Sequence, residues 1–145
     1  AGSVFAQEAQ VEASLYDFTL KDLDGKEVRL AEFKGKQPVV LFFWTTWCPY
    51  CLRELRYLNS IYQNFISDDI VVLSINVQES KAKVKKFISK NPTLLKVLLD
   101  SDGVVAYSYR LIGVPTFILI NKKGEIVFKD HYFPIETYQR LLSDQ

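Results

Sequence analysis

Residues 44–51 read Trp-Thr-Thr-Trp-Cys-Pro-Tyr-Cys, and this stretch decides the fold. It contains the chain's only cysteines, Cys48 and Cys51, with two residues between them. At the start of a helix this spacing brings both sulfurs within reach of one disulfide, which can open without unfolding the domain. Half of a zinc site has the same spacing, but no second Cys or His pair exists to complete one. The pair therefore predicts reversible thiol–disulfide chemistry.

The flanking sequence predicts a strand before the cysteines and a helix after them. Residues 39–44 form a continuous apolar run, which is typical of a strand covered on both faces. Three- and four-residue spacing predicts one long amphipathic helix with an apolar face formed by Leu52, Leu55, Leu58, Ile61, Tyr62 and Phe65. Free N–H groups and the helix dipole at its N-terminus favour a thiolate at Cys48. We expect Cys48 to be the nucleophile and the more buried Cys51 to resolve the mixed disulfide.

The rest of the pattern predicts an α/β layer sandwich with a mixed sheet. Asp24-Gly25 is a tight-turn dipeptide and predicts an N-terminal hairpin over residues 17–29. The later elements are a strand at 70–77, a helix around 84–88, a strand at 95–99, a short helix at 102–110, a hairpin at 116–129 and a helix at 134–142.

Composition indicates one globular domain whose positive and negative charges nearly balance. The chain has 145 residues, a formal net charge of +1, 48% hydrophobic and 24% charged residues. This balance gives no reason to expect nucleic acid as a partner. Residues 1–14 are predicted to be a disordered leader or the remnant of a secretory signal or membrane anchor, and a tag remnant is the alternative. The domain is predicted to span residues 15–145.

The chain resembles the thioredoxin superfamily, and within it the TlpA/ResA group of extracytoplasmic thiol:disulfide oxidoreductases. The resemblance rests on the Asp-Gly hairpin, on Phe-Trp-x-x-Trp-Cys-x-x-Cys at residues 43–51, and on an extra strand and helix before Gly-Val-Pro-Thr at 113–116. It extends from about Phe18 to the C-terminus. It implies a thioredoxin-like three-layer sandwich, with a central mixed sheet, flanking helices, an N-terminal hairpin and a strand–helix insertion.

The resemblance also assigns a substrate-binding surface. Val114 and Pro115 correspond to the cis-proline loop, which lies against the cysteines and offers backbone groups to an extended peptide; a trans proline at the first residue of a strand is the alternative. Trp47, Pro49 and Tyr50 are assigned to the same surface. Tyr50 either packs at the rim, with its hydroxyl touching the first cysteine, or is simply exposed.

Two positions concern the proton of the second cysteine. Glu54 lies three residues after Cys51, and in TlpA/ResA relatives a glutamate there is associated with acid–base control of the thiols. The alternative is an acidic residue favoured in the first turns by the helix dipole. Phe42 stands where thioredoxins have a buried aspartate, six residues before Cys48. The proton acceptor for Cys51 must therefore come from elsewhere, and Glu54 and water are the candidates.

The resemblance implies an enzyme acting on protein disulfides outside the cytoplasm, as a reductant rather than an oxidant, for example in cytochrome c maturation. Its partners would be protein thiols and disulfides and a membrane or soluble thiol electron donor. We expect a monomer without cofactor or metal. A DsbA-like oxidase or isomerase is one alternative, because the Pro49-Tyr50 pair leaves the redox potential open. A Sco-like copper protein is another, in which His131 would join the two thiolates.

Overall fold

The computed structural model describes residues 17–143, in which seven strands form one mixed sheet. The strands are β1 (Thr19–Asp22), β2 (Glu27–Arg29), β3 (Val39–Trp44), β4 (Val71–Val77), β5 (Lys96–Asp100), β6 (Thr116–Ile120) and β7 (Ile126–Asp130). The helices are α1 (Pro49–Ser60), α2 (Tyr62–Ser67), α3 (Lys81–Lys90), α4 (Val104–Ser108) and α5 (Ile135–Ser143), with a 3-10 helix at Leu30–Phe33. The leader predicted at residues 1–14 lies outside the described residues. Within 17–143, no helix has the length and apolar character needed to cross a bilayer.

The sheet has the strand order β2-β1-β5-β4-β3-β6-β7. Strands β3, β4 and β5 are parallel, and every other neighbouring pair is antiparallel. The predicted hairpins therefore form the two edges of the sheet. The extra strand and helix predicted before Gly113 are β5 and α4, and β5 joins the N-terminal hairpin to the parallel core.

Strand β3 lies at the centre of two apolar layers, as its unbroken apolar run predicts. Val40, Phe42 and Trp44 pack into a cluster with both cysteines and α1. Residues 39, 41 and 43 point to the opposite face and pack in a second cluster, which includes Tyr109. Helices cover both faces of the sheet, so the three-layer, thioredoxin-like sandwich is confirmed.

The prediction of one long helix after the cysteines is wrong, because the helix breaks at Ile61. This residue has φ −107° and ψ 15°, outside helical values, and separates α1 from α2. The preceding Ser60 donates its hydroxyl hydrogen bond to the Tyr57 carbonyl at 2.6 Å. Such back-bonding by serine competes with the helical ladder and bends helices. Phe65 remains buried in the same cluster as α1, which explains why the apolar spacing continued across the break.

A buried carboxylate anchors the N-terminal hairpin. Asp22 Oδ1 accepts hydrogen bonds from the backbone N–H groups of Asp24 and Lys26, both at 2.9 Å. Its Oδ2 pairs with Lys96 Nζ on β5 at 3.1 Å. Burial favours the neutral acid, but these hydrogen bonds outweigh it and lower the pKa of Asp22. The charge therefore holds both the turn and the contact between β1 and β5.

Candidate active site

Cys48 is the N-cap of α1. Its backbone is extended (φ −96°, ψ 109°), and Pro49 occupies the first helical position, where a missing N–H costs no ladder bond. The Cys48 sulfur accepts a hydrogen bond from the Cys51 backbone N–H at 3.1 Å. A free N–H of the first turn thus points at the sulfur, which is the arrangement that stabilises negative charge at a helix N-terminus.

The two thiols are both free, and they differ in exposure. Cys48 is 6% exposed and Cys51 is fully buried at 0%. Burial raises the pKa of the Cys51 thiol far above its usual value, and a hydrogen bond with the Cys48 side chain raises it further. A hydrogen bond with the backbone of Thr45 acts in the opposite direction. In the reduced protein, Cys51 therefore keeps its proton at neutral pH.

The floor beneath the cysteines is apolar. Phe42 is fully buried and stacks on Phe117 with ring centroids 4.9 Å apart. Both rings belong to the cluster that contains Cys48 and Cys51. An apolar ring thus stands where thioredoxins carry an aspartate, in the same buried cluster as Cys51.

The Val114–Pro115 peptide bond is cis, as the resemblance implied, and its loop lies against Cys48. The Cys48 sulfur is 3.9 Å from the Val114 carbonyl oxygen. On the other side of the proline, the Thr116 hydroxyl donates to the Gly113 carbonyl at 2.6 Å. The tertiary fold therefore brings the two sequence motifs, 66 residues apart in the chain, into one site.

Large side chains surround the site at the surface. Trp47 and Tyr50 are 68% and 66% exposed, and Pro49 is also exposed. The Tyr50 ring lies 5.3 Å from the Arg53 guanidinium, and within residues 17–143 its hydroxyl makes no hydrogen bond to Cys48. Of the two placements predicted for Tyr50, the structure shows the exposed one.

An open cavity of about 620 Å³ begins beside the cysteine loop and the cis-proline loop. Trp47, Gly113 and Val114 line it on the side of the cysteines, and Tyr107 and Leu111 line it on the side of α4. Tyr107 is 86% exposed, so the apolar surface continues outward from the cavity. The strand–helix insertion therefore contributes one wall of a groove next to Cys48.

Glu54 lies one turn beyond Cys51 on α1 and is half-buried. Burial raises the pKa of its carboxyl, and the charge of Arg53 partly offsets this. Among the described residues it has no hydrogen-bond or ion-pair partner, so neither cysteine is bonded to it. The carboxyl is thus more basic than an ordinary glutamate, while its role in proton transfer stays a prediction.

Glu79 is a residue of the site that the sequence analysis missed. It is 7% exposed and lies between β4 and α3. Its Oε1 accepts from the Thr46 backbone N–H at 2.7 Å and from Asn76 Nδ2 at 2.8 Å. Its Oε2 accepts from the Thr46 hydroxyl at 2.5 Å and pairs with Lys83 Nζ at 3.0 Å. Burial alone would raise the pKa of Glu79, but these donors outweigh it and lower the pKa.

One signal in the sequence could have indicated this contact. Glu79 lies two residues after the end of β4, a strand that is parallel to β3, and the cysteine loop directly follows β3. The carboxyl ends of parallel neighbouring strands meet at one edge of a sheet, where sites form. An acidic residue within two positions of the end of the second parallel strand was therefore a candidate to contact the cysteine loop.

His131 does not complete a metal site in the part of the chain that the structure describes. Its Nδ1 lies 2.8 Å from the Pro115 carbonyl oxygen. No group of three or more His, Cys, Asp and Glu side chains within 17–143 could hold a metal ion. The copper alternative therefore receives no support from the geometry.

Comparisons with known proteins agree with the fold and the cysteine motif. The AhpC/TSA family matches residues 11–129. The thiol-disulfide oxidoreductase ResA of Geobacillus thermodenitrificans is 37% identical over 110 residues, which cover 76% of this chain and 63% of that protein. The sporulation thiol-disulfide oxidoreductase A of Bacillus subtilis is 35% identical over 112 residues, covering 75% of this chain and 67% of that protein.

A solved structure has a similar fold. StoA from Bacillus subtilis superposes with a TM-score of 0.72 at 31% identity, covering 86% of this chain and 95% of that one. The chain spans only 63% of the length of the ResA protein named above.

Proposed function

The chain belongs to the AhpC/TSA family of thioredoxin-fold proteins, and from this premise we propose that it is a thiol:disulfide oxidoreductase acting on protein disulfides. One observation carries the proposal. Cys48 is the N-cap of α1 and accepts an N–H hydrogen bond, while Cys51 is fully buried with a raised pKa. A thiol that accepts an N–H hydrogen bond at a helix start and a buried thiol behind it, next to a cis-proline loop, suit a nucleophile and a resolving thiol.

The proposed cycle begins with the reduced pair. The Cys48 thiolate attacks one sulfur of a substrate disulfide, forms a mixed disulfide and releases the other sulfur as a thiolate, which takes up a proton. Cys51 then loses its proton and attacks the Cys48 sulfur, which releases the second substrate thiol. The protein ends with a Cys48–Cys51 disulfide, and two electrons have passed to the substrate. Glu54, with its raised pKa, or water accepts the proton of Cys51.

The substrate is proposed to be an extended peptide segment that contains a disulfide. Its backbone would pair with Val114, whose carbonyl faces the Cys48 sulfur. Trp47, Pro49 and Tyr50 and the adjoining cavity would contact its flanking residues. The direction of electron flow is proposed to be reductive, with a membrane or soluble thiol donor restoring the pair. The proposal includes a location outside the cytoplasm and a monomeric state, on the strength of the TlpA/ResA resemblance.

Trapping the intermediate tests the proposed cycle. Cys51→Ser should accumulate a mixed disulfide with a substrate that carries intact disulfides, such as oxidised insulin, visible by non-reducing electrophoresis and mass spectrometry, whereas Cys48→Ser should form none. Wild-type protein should reduce insulin with turnover when dithiothreitol is supplied. Full exchange activity in Cys48→Ser would refute the assignment of the nucleophile.

The reduction potential tests the direction. Equilibration of the pair against a dithiothreitol series should give a value near the reducing end of the family, around that of thioredoxin at about −270 mV. A value near that of a strong oxidant, about −120 mV, would replace the reductase proposal with an oxidase.

A further inference from the structure

His131, at the end of the last hairpin, contacts the cis-proline loop at Pro115 and Thr116. It directly follows β7 and is exposed, and its Nδ1 lies 2.8 Å from the Pro115 carbonyl oxygen and 3.4 Å from the Thr116 hydroxyl oxygen. A lone surface histidine needs no functional explanation. This one contacts the residue that shapes the proposed substrate groove.

The bonding pattern determines which ring nitrogen carries the proton. The Pro115 carbonyl can only accept a hydrogen bond, and the Thr116 hydroxyl proton is already donated to the Gly113 carbonyl at 2.6 Å. Both neighbours of His131 Nδ1 are therefore acceptors. The neutral imidazole must hold its proton on Nδ1 and donate it to Pro115.

The same pattern leaves one carbonyl of the loop facing the nucleophile. The Gly113 carbonyl is occupied by the Thr116 hydroxyl, and the Pro115 carbonyl is occupied by His131. The Val114 carbonyl lies between them and faces the Cys48 sulfur at 3.9 Å. Two side-chain donors thus brace the loop on either side of Val114.

We propose that His131 is a positioning residue for the peptide substrate, because its Nδ1–H holds the Pro115 carbonyl and so keeps the Val114 backbone aligned with Cys48. This inference rests on the proposed function, in which Val114 pairs with an extended peptide. A small disulfide that forms no backbone pairing does not need the alignment. The effect of His131 should therefore be confined to peptide and protein substrates.

Matched variants and two substrates test this role. His131→Leu removes the donor, and His131→Asn replaces it with a side-chain amide N–H. Val127→Thr, at an exposed position on the same hairpin, is the control. With insulin, His131→Leu should raise KM about fivefold with kcat little changed, as expected for loss of one hydrogen bond. With 5,5′-dithiobis(2-nitrobenzoate), its rate should equal that of wild type. His131→Asn should recover most of the KM effect, and Val127→Thr should show none.

Three outcomes would overturn the inference: an unchanged insulin KM in His131→Leu, an equal loss of rate with both substrates, or no recovery in His131→Asn. A second measurement is independent of activity. The ¹³C shifts of the neutral His131 ring should report the Nδ1–H tautomer, and the Nε2–H tautomer would contradict the proposed brace. A wild-type protein that reacts with neither disulfide would instead overturn the proposed function, and the positioning role with it.

Discussion

Glu79 accepts two hydrogen bonds from Thr46, one from its backbone N–H at 2.7 Å and one from its hydroxyl at 2.5 Å. Thr46 lies two residues before Cys48, in the loop that connects β3 to α1. The carboxylate therefore ties this loop to the end of β4. Removing its charge should disturb both stability and the placement of the nucleophile.

Glu79→Gln should lower the free energy of unfolding by about 2 kcal/mol. Both carboxylate oxygens of Glu79 accept hydrogen bonds, and the variant would replace one of them with an NH₂ group, which cannot accept. It should also slow the reaction of Cys48 with 5,5′-dithiobis(2-nitrobenzoate), by roughly tenfold if about 1.4 kcal/mol of the positioning is lost. Urea denaturation and stopped-flow absorbance measure the two effects.

Two controls separate these effects. Asp22→Asn removes a buried carboxylate in the N-terminal hairpin, so it should lower stability and leave the Cys48 rate unchanged. Lys83→Met removes the half-exposed partner of Glu79 and should cost less than about 1 kcal/mol. An unchanged Cys48 rate in Glu79→Gln would show that the carboxylate is only structural.

The contribution of Glu79 to the free energy of unfolding should decrease as pH falls. Its pKa is lowered in the folded state from the ordinary value of 4.5, so the unfolded chain takes up the proton first as pH falls. The stabilisation is complete above this ordinary pKa and is lost as pH falls through the folded pKa. The difference in unfolding free energy between wild type and Glu79→Gln should be constant from about pH 6 to 8 and shrink below about pH 4.5. A difference that grows on acidification would contradict the assignment of an ionised carboxylate.

Alkylation should distinguish the two thiols. In the reduced protein at neutral pH, iodoacetamide should modify Cys48 at least about tenfold faster than Cys51, because Cys51 is fully buried and its pKa is raised. Peptide mapping by mass spectrometry measures both rates. In urea the two rates should converge, which serves as the control. Faster modification of Cys51 in the folded protein would reverse the proposed roles.

Glu54→Gln tests the proton acceptor. If the Glu54 carboxylate takes the proton of Cys51, resolution of the mixed disulfide should accelerate as pH rises through the raised pKa of Glu54. In the glutamine variant the rate should lack this rise with pH, and resolution of the mixed disulfide should be slower by a factor of about ten or more. Rapid-quench kinetics of the mixed disulfide provide the profile. Identical profiles in the two proteins would assign the proton to water and leave Glu54 as an acidic residue of an early helical turn.

Most elements followed from local patterns. The run of β3, the Asp24-Gly25 turn and the apolar spacing of α1 and α3 each placed an element close to its observed position. The prediction failed at Ile61, because an apolar residue at the expected spacing keeps the periodicity even where the backbone leaves the helix. Apolar periodicity indicates which side chains are buried. It says less about whether the backbone hydrogen bonds of the helix continue through the segment.

The local sequence was sufficient for the layered fold and for the cysteine pair at a helix start, and it predicts separate roles for the two thiols, because strand, helix start and cysteine spacing are contiguous in the chain. Only the tertiary structure decided what surrounds the pair. The cis-proline loop, the Glu79 carboxylate and the His131 ring come from other strands, and they meet Cys48 and its loop only when β3, β4, β6 and β7 align. Their contacts depend on register and side-chain direction between distant segments, which no local pattern encodes.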